Sequence, residues 1–236
     1  MEGQARWLLG SARWFGWRGP CAACTGGARH DPRQGVRCNE DAGVRPARTG
    51  AHRPVSRTPI DRVLRAWLQS GGSLSRRLSD AFGGFQVRVL SQGVAPARPD
   101  ELAALRRRAA GLRVQRCHVR EVMLWGDGQP LVHARSVLPA VQAHLTWRAV
   151  RGLGSRPLAD LLFGLRAAHC ERLGHARMAP CRARRLAQRL ERSSDSAWRG
   201  TPLWFRRSVF TRRGVPLLVT EWFAPAVRQR PPGPSR

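Results

Sequence analysis

LWFRRSVFTRRGVPLLVTEWFAP, Leu203 to Pro225, carries two apolar runs on either side of Arg212-Arg213-Gly214. The second run, Val215 to Phe223, is rich in β-branched and large apolar residues placed with period two, so it reads as a strand and the pair as a hairpin. Side chains alternate across a pleated strand, which puts Val215, Leu217, Val219, Glu221 and Phe223 on one face and Pro216, Leu218, Thr220 and Trp222 on the other. A carboxylate therefore sits within an apolar row. Burying an ionised Glu alone is costly, so Glu221 is expected to be protonated or to be held by donors or a cation. A structural Arg would satisfy the same demand.

A second hairpin lies upstream in Arg116 to Leu138, RCHVREVMLWGDGQPLVHARSVL, around the Asp127-Gly128 turn. On its first strand Arg120 shares a face with His118, Val122 and Leu124, while Glu121 shares the other with Val119 and Met123. The second strand groups His133, Arg135 and Val137. Arg120 beside Val122 and Leu124 repeats the Glu221 pattern with the opposite sign. The plainer alternative is an edge-strand Arg whose head reaches water.

Around these hairpins the spacing predicts helices and one more strand. Thr58-Pro59 opens a helix whose Ile60, Val63, Leu64, Trp67 and Leu68 share one face, ended by Gly71-Gly72. A short helix follows Ser73 with Leu74 and Leu78 inward, Phe85 to Leu90 alternates as a strand, and Pro99 to Arg108 leads into a helical turn. Ser155-Arg156-Pro157 begins another helix after Gly152 and Gly154, and its N-terminal N–H groups could meet an anion. Residues 166–199 read as an Arg-rich helical segment with a solvated basic face. Together these elements predict an α+β fold with a single antiparallel β-sheet and helices packed across it. Residues 1–57 read as a poorly ordered extension rich in Arg, Gly and Pro, and residues 228–236 as a disordered tail.

A formal charge of +27 points toward an anionic partner. Yet all 42 basic residues are Arg, with no Lys or Tyr, a single Ile (Ile60) and a single Asn (Asn39). That depletion resembles GC-rich coding, which discounts charge as an argument for nucleic acid. It still favours small carboxylates, which Arg forks match. No run approaches the roughly 20 apolar residues of a membrane helix. The chain is accordingly expected to be soluble. The six Cys show no regular framework and are expected to be reduced. Cys21, Cys24, His30 and Cys38 offer four possible zinc ligands, but without a matching second half the expectation is no metal site. No Gly-rich phosphate loop, no nucleophile elbow and no recognisable DNA-reading helix pair is present, and a nucleotide-dependent enzyme is disfavoured.

Arg120-Glu121-Val122-Met123-Leu124, Gly126-Asp127-Gly128-Gln129-Pro130 and Ala134-Arg135-Ser136-Val137-Leu138-Pro139 resemble the central hairpin of bacterial chorismate lyases. The resemblance continues in order through Pro157-Leu158 with Leu161-Leu162-Phe163. It ends with Trp204, Arg206-Arg207-Ser208, Gly214, Pro216-Leu217-Leu218, Thr220-Glu221, Phe223 and Pro225. It covers residues 58–227, and within them the segment 166–199 is longer than in compact members.

The resemblance implies a sheet with helices enclosing a small ligand cavity. It also implies a cofactor-independent reaction that eliminates pyruvate from chorismate and leaves 4-hydroxybenzoate for ubiquinone biosynthesis. Carried over by position, Arg120 matches the arginine on the ring carboxylate and Glu221 the glutamate near the ring hydroxyl. Leu158 matches a residue whose backbone contacts the ligand, and Leu74 a position in an early flap. Arg135 or Arg206 is then the expected partner of the enolpyruvyl carboxylate, and Glu221 a general acid or the holder of the hydroxyl. The expected partner is chorismate alone, with no nucleic acid, no membrane insertion, a monomeric state and a cytoplasmic location. Three competing readings are a non-catalytic aromatic-acid sensor of the same fold, a lyase making 3-hydroxybenzoate, and a nucleic-acid-binding protein supported by charge only.

Overall fold

The computed structural model describes residues 60–109, 116–164, 169–178, 180–191, 198 and 203–234. The extension 1–57, its Cys and His residues, and the Thr58-Pro59 helix start lie outside them. Within them the fold is α+β with one six-stranded antiparallel sheet in the order β1-β2-β3-β6-β5-β4. The strands are β1 (Gln86–Ala95), β2 (Cys117–Gly126), β3 (Gln129–Pro139), β4 (His169–Arg177), β5 (Trp204–Arg212) and β6 (Val215–Phe223). Both expected hairpins form, β2–β3 and β5–β6, and they join through β3 and β6 at the centre. Each turns on two residues with positive φ, Asp127 (48°) with Gly128 (73°) and Arg213 (49°) with Gly214 (73°). That geometry matches the right-handed twist of the flanking strands.

Helices cover both faces. α1 (Arg62–Gln69) starts at Asp61, whose side chain accepts from the Leu64 N–H at 2.7 Å, and buries Leu64, Trp67 and Leu68. α2 (Leu74–Ala81) starts at Ser73, whose hydroxyl accepts from the Arg76 N–H at 3.2 Å, and buries Leu74 and Leu78. These two helices pack with Val87, Val122, Leu124, Val132 and Phe223. At the other end of the same face, Trp147, Val150, Leu153 and α4 (Leu158–Gly164) pack on Leu138, Phe210, Leu217 and Val219. On the opposite face α3 (Pro99–Arg106) covers Val119, Val137, Val209 and Leu218, and α5 (Pro180–Glu191) covers Met123, Trp125 and Trp222. All ten residues of β2 are buried as a result. No described helix is long and apolar enough to cross a membrane.

The structure corrects the reading of residues 166–199. His169–Arg177 is a strand, not helix, and lies along the outer edge of β5. The bulge between Arg172 and Gly174 interrupts the alternation that would have revealed it. α5 is not a solvated helix either, since Ala183, Leu186, Ala187 and Leu190 are buried at i, i+3, i+4 and i+7. The chain end, predicted as a disordered tail, makes specific contacts in its described part. The 3-10 turn Pro225–Gln229 leads to Arg230, whose carbonyl accepts from Trp67 Nε1 at 2.8 Å. The Gly233 carbonyl accepts from Arg77 Nη1 at 2.6 Å. Buried or half-buried donors on α1 and α2 thereby find acceptors that the helices themselves lack.

Candidate active site

Antiparallel register decides which side chains can meet. Arg120 stands opposite Ser136, Ala134 opposite Glu221, and Glu221 opposite Arg206. Directly opposed residues project from the same side of a sheet, and Ala134 and Ser136 are two apart on β3. Arg120, Glu221 and Arg206 therefore share the face covered by α1 and α2 at one end and α4 at the other. Leu74 is buried where α2 begins, and half-buried Leu158 is where α4 begins, so the two apolar positions flank this charged row from opposite ends.

Arg120 is 2% exposed. Its Nη2 donates to the carbonyls of Gly154 (2.9 Å) and Arg156 (3.1 Å), and its Nε has no partner among the described residues. No carboxylate among them pairs with it. Burial pushes its guanidinium below the ordinary arginine value. A cation held only by carbonyls in an apolar setting is a strong site for a carboxylate, because charge-assisted pairing is strongest where water is scarce. The segment that supplies the two carbonyls turns through Gly154 at φ 53° and runs directly into Leu158.

Glu221 is held by a cation, the second of the two outcomes open to it. Arg206 Nε donates to its Oε2 at 2.5 Å. Arg206 Nη1 also donates to the Trp67 carbonyl at 3.0 Å and to the Ser70 carbonyl and hydroxyl, each at 2.9 Å. Arg206 thus fastens Glu221 to the end of α1, and its Nε and Nη1 are already engaged.

Arg135 does not belong to this site. It stands opposite Glu121, on the other face of the sheet. Its Nε donates to Glu101 at 2.8 Å and its Nη1 to Glu121 at 2.5 Å. Arg189 lies 3.2 Å from Glu121, and His133 Nε2 lies 3.5 Å from it. Two carboxylates neutralise Arg135, so the role expected for it on the enolpyruvyl carboxylate is withdrawn. Sequence reasoning missed Arg172, because its segment read as helix. On β4 it stands opposite Ser208, two residues from Arg206, so it projects from the same face as Arg206 and Glu221, in the next row. Its Nη2 donates to the same Ser70 carbonyl at 2.9 Å, and its buried Nη1 has no partner among the described residues.

Two open cavities lie among the described residues near the sheet. One of about 300 Å³ is lined by Gln92, His118, His144 and Arg151. The other, of about 630 Å³, lies on the opposite face beside Arg98, Glu121, Arg135 and Arg189. Neither is lined by Arg120 or Glu221. Among the described residues no three His, Cys, Asp or Glu side chains converge on a metal position.

The family model described as chorismate lyase matches residues 56–230, which takes in every strand and helix described above. The chain belongs to the chorismate lyase family. A curated relative named "Probable chorismate pyruvate-lyase" from Aromatoleum aromaticum is 40% identical over 183 residues, covering 75% of this chain and 94% of that one. Proteins of the same name from Azoarcus sp. and Thiobacillus denitrificans are each 42% identical, over 74% and 70% of this chain and 90% and 84% of theirs. Among solved structures, the C-terminal domain of a histidine utilization repressor from Pseudomonas syringae matches 64% of this chain and 99% of its own. At 17% identity and a TM-score of 0.42 that likeness bears no weight beside the chorismate lyase match.

Proposed function

We propose that this chain is a cofactor-independent chorismate–pyruvate lyase of the cytoplasm, releasing pyruvate from chorismate and leaving 4-hydroxybenzoate for ubiquinone biosynthesis. The observation that carries the reading is a buried Arg120 with no carboxylate partner among the described residues, on the face from which Glu221 also projects. The ring carboxylate of chorismate pairs side-on with Arg120 through Nε and one Nη, displacing or sharing the carbonyls of Gly154 and Arg156. Leu74 and Leu158 close on the ring from either end and keep water out.

In the reaction the ether C–O bond breaks, the hydrogen on the hydroxyl-bearing carbon leaves, and the ring becomes aromatic. The three-carbon fragment departs as the enolate of pyruvate and takes up at its methylene carbon one proton, balancing the one the ring gives up. Aromatisation drives the step, so the protein needs to hold the dianion in a reactive pose more than to supply a strong acid or base. Glu221, fastened by Arg206, offers acceptor oxygens to the ring hydroxyl and fixes the end of the ring where the bond breaks.

The test is incubation of the full chain with chorismate alone, assaying pyruvate and the aromatic product together. Equal amounts of pyruvate and 4-hydroxybenzoate are expected. Pyruvate with 3-hydroxybenzoate would assign the other lyase, and saturable binding without turnover would assign a sensor.

A further inference from the structure

We infer that Arg172 binds the second carboxylate of the substrate, the one on the enolpyruvyl side chain, and so separates the dianionic substrate from the monoanionic product. The inference rests on the chorismate reading above. Of the two arginines expected in this role, Arg135 is on the other face with two carboxylates of its own. Arg206 has its Nε on Glu221 and its Nη1 on three oxygens.

Arg172 meets the demands that these two fail. It projects from the face that holds Glu221 and Arg206, one row over from them, and it shares the Ser70 carbonyl with Arg206. Two guanidiniums on one carbonyl, with Glu221 paired to Arg206, leave a local excess of positive charge. Arg172 Nη1 is buried and has no partner among the described residues. A buried guanidinium nitrogen with nothing to donate to is costly, and a ligand carboxylate relieves that cost.

Charge and order agree with this placement. Arg120, Arg172 and Arg206 against Glu221 leave an excess of two positive charges among these four side chains, which a dianion neutralises. Across the sheet the order is Arg120 on β2, Glu221 on β6, Arg206 on β5 and Arg172 on β4. In chorismate the hydroxyl is para to the ring carboxylate and the ether is on the carbon beside it, so the enolpyruvyl carboxylate branches off next to the hydroxyl. The second carboxylate therefore belongs to the end of the substrate that Glu221 meets, away from Arg120, and Arg172 is the cation with an unused donor at that end.

The test compares wild type with Arg172→Gln and Arg172→Lys, measuring KM and kcat for chorismate and, by calorimetry, Kd for 4-hydroxybenzoate. Loss of a charge-assisted pair raises KM for chorismate roughly tenfold or more in Arg172→Gln. The Kd for 4-hydroxybenzoate, which has no side chain to bind, stays within about twofold of wild type by the same bookkeeping. Arg172→Lys, which keeps the charge, recovers part of the KM, and both variants are checked against wild type by thermal melting. An unchanged KM, or KM and Kd weakened in parallel, overturns the role of Arg172 while leaving the chorismate reading standing. A wild-type protein that releases no pyruvate overturns that reading and this inference with it.

Discussion

Arg120 and Arg206 are both buried on one face, yet their partners give them different work. Among the described residues Arg206 has a carboxylate and Arg120 has only carbonyls. Replacing Arg120 by Ala removes a charge-assisted pair to ligand, so calorimetry should show 4-hydroxybenzoate bound more weakly by roughly 1.5–3 kcal/mol. Both Arg120 and Glu221 were legible in the sequence, because period-two alternation in two clear strands placed each within an apolar row. Arg135 shows where that reasoning stops. The alternation put it with His133 and Val137, but nothing in the sequence placed Glu101 of a distant helix against it. Arg172 was hidden for a different reason, since a bulge broke the only pattern that could have exposed it.

The two hairpins were readable because Asp127-Gly128 and Arg213-Gly214 punctuate strong alternation, whereas β4 has Arg, Gly and His where a strand usually carries β-branched residues. α1 and α2 declared themselves through apolar spacing and the Ser73 cap, and α1 is capped by Asp61. How closely α2 seats on the sheet depends on Gly126 at the end of β2. A Cβ there would lie 2.7 Å from both Leu131 Cδ1 and Phe82 Cβ. Neither neighbour has room to retreat, since both are buried. Gly126→Ala should therefore destabilise the protein by about 1–3 kcal/mol through overpacking, seen as a lower midpoint in chemical denaturation. A midpoint equal to wild type would mean that α2 is looser on β2 than this packing implies.

The sheet divides the molecule into a face with excess positive charge and a face where buried charges are matched. On the matched face, burial pushes the Glu121 carboxyl up. The hydrogen bond and charge of His133, the charge of Arg189 and the hydrogen bond of Arg135 outweigh it and hold the group at about 2. His133, fully buried, is itself pushed below its usual value by desolvation, so it is neutral near pH 7 and the arginines hold Glu121 there. Both groups release protons more readily folded than unfolded, so their contribution is complete above the unfolded values and fades as pH falls. Stability should drop first as pH passes below about 6.5 through His133, then again between about 4.5 and 2 through Glu121, the second loss on the order of 3 kcal/mol. In Glu121→Gln the second fall should disappear from the pH dependence of urea midpoints, and its persistence would assign it to other carboxylates.

Whether the positively charged face is the one that grips an aromatic acid can be seen in a crystal of the protein with 4-hydroxybenzoate. The ligand carboxylate should lie on Arg120, with the hydroxyl turned toward Glu221 and the ring between Leu74 and Leu158. Density for the ligand beside Arg98 and Arg189 on the opposite face, with Arg120 still bound to the carbonyls of Gly154 and Arg156, would contradict it.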